Sequence, residues 1–97
     1  MSLDYNRVLH SFLQSQPRTI GNYSTNGTIL LYYSSPILQR HADGRISFSL
    51  CGKSSLTARR RINDFFQTAG LSLRLSHRAG TTYLNDSPIL STDRIYL

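Results

Sequence analysis

The sequence predicts an α+β fold with two helices packed on antiparallel β-hairpins, in the order α-β-β-β-β-α-β-β with a short additional strand at the end. Three observations carry this prediction. Two segments space their apolar residues at helical intervals, over 3–15 and 55–69. Three turn dipeptides, Asn26-Gly27, Asp43-Gly44 and Ala79-Gly80, sit between segments rich in β-branched, aromatic or alternating apolar residues. The connections between those segments are also too short for parallel crossovers, which leaves antiparallel pairing.

Taken in order, Tyr5, Val8, Leu9, Phe12 and Leu13 form the stripe of the first helix. Ser2 suits its cap, Asp4 its positive first turn, and Pro17 forbids continuation. Thr19–Tyr23 and Thr28–Tyr33 flank Asn26-Gly27 as a first hairpin, and Ile37–Ala42 and Arg45–Cys51 flank Asp43-Gly44 as a second. Pro36 cannot donate to a ladder and marks a strand start. In the fourth strand Ile46, Phe48 and Leu50 alternate with Arg45, Ser47 and Ser49, which predicts one dry face and one wet one. The second helix buries Ala58, Ile62, Phe65, Phe66 and Ala69, and Gly70 supplies its left-handed stop. Leu71, Leu73 and Leu75 then alternate into a last hairpin turned by Ala79-Gly80.

The 97 residues suit a single basic α+β domain spanning 1–97, with 39% hydrophobic residues and ten aromatics for its core. No apolar run approaches the roughly 20 residues that cross a bilayer, so no membrane partner is expected. The opening residues lack a signal peptide's basic start and apolar stretch, and Cys51 is the lone cysteine. A cytoplasmic protein, in the host cell if viral, is the reading that follows.

Charge is the most informative bulk property. Eleven basic residues oppose five aspartates for a net charge of +6, and ten of the eleven are arginine. Arginine's planar fork grips phosphate or carboxylate at two points, so this bias points to a polyanionic partner as much as to codon usage. Arg59-Arg60-Arg61 is the strongest local feature. Successive helical residues lie about 100° apart, which puts Arg59 and Arg61 on either edge of the apolar stripe and Arg60 opposite it. Asp64 falls four residues after Arg60 and is expected to pair with it. Cations in the first turns of a helix oppose its dipole, an arrangement that points to function or to an aspartate elsewhere that answers it. Arg74 and Arg78 lie beside the Ala79-Gly80 turn, and Arg40 and Arg45 beside Asp43-Gly44, where exposed turns reach a partner. Tyr23, Tyr32, Tyr33, Tyr83 and Tyr96 read as strand residues with stacking as the alternative role.

Gly52-Lys53-Ser54 invites comparison with a P-loop, but Ser47 stands where the motif needs its first glycine, which excludes an NTPase. A small-residue loop opening a helix beside Lys53 retains backbone amides for an anion. The chain has no glutamate, and His10, His41 and His77 lack metal-ligand spacing. No enzyme activity, cofactor or metal is expected.

Two resemblances follow from these motifs. Gly52-Lys53-Ser54 leading into a basic helix resembles a double-stranded-RNA-binding domain, but an extra strand and a C-terminal hairpin separate the chain from that family. Across residues 20 to 85, the Asn26-Gly27 and Asp43-Gly44 hairpins and the helix start Thr57-Ala58-Arg59-Arg60-Arg61-Ile62-Asn63 are similar to small uncharacterised phage-encoded accessory proteins. That resemblance implies a class that includes host-takeover factors and inhibitors of bacterial defence. The expected function is a non-catalytic module contacting nucleic acid or a nucleoprotein through Lys53, Arg59, Arg60, Arg61, Arg74, Arg78, Arg40 and Arg45. The rival is an anti-CRISPR-like or other anti-defence inhibitor docking on an acidic protein surface without binding nucleic acid. A homo-oligomer joined by an uncovered strand edge or the Tyr32-Tyr33 face is a third reading.

Overall fold

The computed structural model describes residues 3–53 and 55–97. The expected cap at Ser2 and the last residue of Gly52-Lys53-Ser54 therefore lie outside the described residues. The chain is α+β, as the sequence predicts, and divides into two compact units. One runs to Phe48 and takes in Ile95–Leu97, and the other is Ser49–Arg94.

The first unit begins with α1, Leu3–Leu13, which buries Tyr5, Val8, Leu9 and Phe12. The helix stops two residues short of the expected end. Ser15 takes a left-handed φ of 59° and donates its N–H to the Phe12 carbonyl, while Gln16 donates to Ser11. These two bonds close a Schellman turn with serine where glycine is usual.

Strands β1 (Arg18–Ile20), β2 (Tyr23–Thr25), β3 (Ile29–Tyr32), β4 (Ser35–Arg40) and β5 (Ile46–Phe48) follow, and β9 (Ile95–Tyr96) returns beside β5. All neighbours in this sheet, ordered β1-β2-β3-β4-β5-β9, are antiparallel. The segment read as one strand over Thr19–Tyr23 is broken by a tight turn at Gly21-Asn22, so the sheet gains a strand ahead of the Asn26-Gly27 turn. That second turn is built by side chains. Asn26 Oδ1 accepts from the N–H groups of Thr28 and Ile29, and Thr25 Oγ1 accepts from Gly27. Gly27 is required here: a Cβ would lie 2.7 Å from the Ser15 carbonyl oxygen, at a φ of +94°.

The fourth predicted strand needs correction. It ends at Phe48 rather than Cys51, and of its expected wet face Arg45 is exposed but Ser47 and Ser49 are dry, at 0% and 4% exposed. Both hydroxyls are satisfied: Ser47 Oγ lies 2.7 Å from His41 Nε2, and Ser49 Oγ accepts from the Cys51 N–H. Serine is small enough to be buried on either face once its single polar group is paired.

In the second unit, α2 (Leu56–Thr68) buries Ala58, Ile62, Phe65 and Phe66. Ser55 caps it by accepting the Ala58 N–H, and its far end closes as a Schellman turn with Gly70 at φ 71°. In that motif Leu71 donates back to Phe66, so Leu71 belongs to the helix stop and not to the expected strand. Strand β6 starts at Leu75 and ends at Arg78, and β7 (Thr81–Leu84) and β8 (Ser87–Ile89) complete an antiparallel three-stranded sheet. Asn63 covers the outer edge of β6: its Nδ2 donates to the Leu75 carbonyl and its Oδ1 accepts the Leu75 N–H at 2.7 Å. A single amide side chain thus supplies both bonds that a neighbouring strand would make.

Candidate polyanion-binding surface

Seven of the eleven basic residues fall within Ser49–Arg94: Lys53, Arg59, Arg60, Arg61, Arg74, Arg78 and Arg94. Arg59, Arg60 and Arg61 occupy the early turns of α2 because the stripe of Ala58, Ile62 and Phe65 fixes the rotation of that helix. Arg60 is exposed while its neighbours are half-buried, as the wheel predicts. The partner of Asp64 is not Arg60 but Arg61, at 3.1 Å and three residues away, with both side chains only about 15% exposed. At the i+3 spacing both side chains hug the edge of the buried stripe, where the pair is less screened than on the open face.

Lys53 lies in the turn before α2 and is half-buried. Two amides of this loop are committed within the fold: Gly52 donates to the Ser91 carbonyl and Lys53 to that of Leu50, each at 2.9 Å. The open-amide anion site suggested by the sequence is to that extent filled by the protein's own carbonyls.

Arg74 and Arg78 are exposed and share one side of the β6–β8 sheet. Side chains alternate along β6, so Leu75 and, across from His77, Thr82 are buried on one face while Arg74, Ser76 and Arg78 line the other. Arg74 extends the ladder beyond β6: its carbonyl accepts the Asn85 N–H, and the Arg74 N–H donates to Asn85 Oδ1. The Arg78 guanidinium lies over the Tyr83 ring, 4.4 Å from its centroid. Tyr83 is a partner of Arg78 that the sequence did not suggest. The two-residue Ala79-Gly80 turn was the available signal, since it sets Arg78 opposite Thr81 and Ser76 opposite Tyr83, making Arg78 and Tyr83 diagonal neighbours.

Arg40 and Arg45 belong to the first unit and hold it together. Arg40 donates to the carbonyls of Gly27 and Phe12 and covers the Phe12 ring at 4.8 Å, tying the end of α1 to the β2–β3 turn. Arg45 Nε donates to the Leu97 carbonyl at 3.1 Å and its guanidinium lies over Tyr96, fastening β9.

The first unit also has an uncharged trough of about 340 Å³ lined by Thr19, Asn22, Ser24, Leu31, Tyr33 and Ser34, with Tyr33 55% exposed. No described group of three or more His, Cys, Asp or Glu side chains is placed to hold a metal. No described helix is long and apolar enough to cross a membrane. No protein family, curated protein or solved structure matches the chain.

Proposed function

We propose that this chain is a non-catalytic binding module whose second unit contacts nucleic acid or a nucleoprotein through arginine. The observation that carries the reading is the concentration of seven basic side chains in Ser49–Arg94, with Arg60, Arg74 and Arg78 exposed. Exposed guanidinium groups, each able to grip a phosphate through two N–H donors, supply a sequence-independent attraction that weakens with salt. A phage or mobile-element setting rests on the resemblance of residues 20 to 85 alone.

Filter binding with random-sequence DNA and RNA across a salt series tests this reading. Affinity falls linearly on log–log axes, and Arg59→Ala with Arg60→Ala flattens the slope by about 0.7 to 0.9 for each phosphate no longer neutralised. Salt-independent binding, or none at moderate salt, contradicts the reading.

A second reading has its own support. The uncharged trough and the exposed Tyr33 suit a protein partner, as an inhibitor of a host defence enzyme would require. That reading expects no electrophoretic shift with either nucleic acid.

A further inference from the structure

The geometry points to one face of the β6–β8 sheet as a stacking platform for single-stranded nucleic acid, with Tyr83 and Arg78 taking a base and Arg74 a phosphate. This inference rests on the polyanion reading and narrows it to one form of partner.

Three features of the face converge. Tyr83 lies on β7, the central strand, opposite Pro88 of β8 and diagonal to Arg78 of β6, so a flat aromatic surface is fixed at the middle of the sheet. The Arg78 guanidinium already rests on that ring at 4.4 Å and is itself exposed, which leaves its outer side open to a second flat group. Guanidinium planes and aromatic rings both accept unstacked bases, and a cation over a ring holds its plane in place. Arg74 lies four residues before Arg78 on the same face, about 13 Å away at the usual strand rise. Its backbone is held by two hydrogen bonds with Asn85, so its position along the face is set even though its side chain reaches into solvent.

This chemistry selects single strands. Bases inside a duplex are stacked on one another and offer only edges, whereas a single strand can splay a base onto a protein ring while its backbone meets a cation nearby. Duplex DNA can satisfy Arg74 and Arg78 electrostatically but leaves the ring unused.

Fluorescence anisotropy with a labelled oligo(dT) 20-mer and a 20-base-pair duplex tests the platform in the full chain. Tyr83→Ala weakens oligo(dT) binding by about ten- to a hundredfold and leaves duplex binding within about twofold, while Tyr83→Phe retains both. Arg78→Gln, at an exposed position, also discriminates against the single strand and guards against a folding defect in Tyr83→Ala. Photocrosslinking to an oligonucleotide carrying 5-iododeoxyuridine places the adduct on Tyr83. Equal losses on single strand and duplex, or full single-strand affinity in both Tyr83→Ala and Arg78→Gln, overturn the platform. If the wild type then still binds with a steep salt dependence, the broader polyanion reading survives. If the wild type binds neither probe, both fall together.

Discussion

Arg40 and Arg78 occupy like positions, each closing a strand beside a tight turn and each lying over an aromatic ring, yet the two ends of the chain use them differently. Around Arg40 the ring belongs to a helix 28 residues away, and two of the guanidinium's three nitrogens donate to backbone carbonyls. Around Arg78 the ring belongs to the same hairpin and the group is exposed. Net charge is therefore misleading as a count of binding residues. A guanidinium whose donors are spent on main-chain carbonyls has become part of the fold, and one that only rests on a ring keeps its donors for a partner.

Removing the structural arginine should produce the largest effect. Arg40→Ala leaves the Phe12 and Gly27 carbonyls without a charged donor and uncovers the Phe12 ring. Urea unfolding is expected to show a loss of roughly 2–4 kcal/mol. Arg78→Ala, at the matching place in the second unit, should cost under about 1 kcal/mol. Similar losses from the two would break the comparison.

Gly27→Ala attacks the same junction from the other side, since the new Cβ meets the Ser15 carbonyl at a positive φ. Its cost should be about 2 kcal/mol or more, read as a fall in melting temperature. Asn63→Ala is the counterpart in the second unit. It strips both bonds from the buried Leu75 backbone, and a loss of roughly 1–3 kcal/mol is expected, with faster amide exchange at Leu75 as the local signature. Asp64→Asn should be the mildest change. It removes the Arg61 pair for less than about 1 kcal/mol and takes one negative charge from α2, so binding to oligo(dT) should tighten rather than weaken.

The parts of the fold legible in the sequence were those written in local chemistry. The stripe Tyr5-Val8-Leu9-Phe12, the Gly70 stop and the Asp43-Gly44 and Ala79-Gly80 turns each follow from a few adjacent residues. The break at Gly21-Asn22 was hidden inside a β-prone run, and the end of the first helix by a left-handed Ser15 that no propensity favours. Ser47 and Ser49 read as wet because alternation reports polarity, and only the completed structure supplies His41 and the Cys51 amide as their partners. In the candidate site, the half-buried and exposed positions of Arg59, Arg60 and Arg61 came from the helical wheel. The division of arginines into fastened and exposed did not, because Arg40's partners are carbonyls 13 and 28 residues away and leave no trace in side-chain pattern.

The most direct test of that division is the salt dependence of oligo(dT) binding in two charge-neutralised proteins. Arg74→Gln with Arg78→Gln should flatten the log–log slope by at least about 0.7, the step expected for the phosphate that Arg74 neutralises on a single strand. Arg40→Gln, which removes the cation whose Nη1 and Nη2 donate to the Gly27 and Phe12 carbonyls, should leave the slope within error of wild type. A slope changed by Arg40→Gln and untouched by the double replacement would contradict the account.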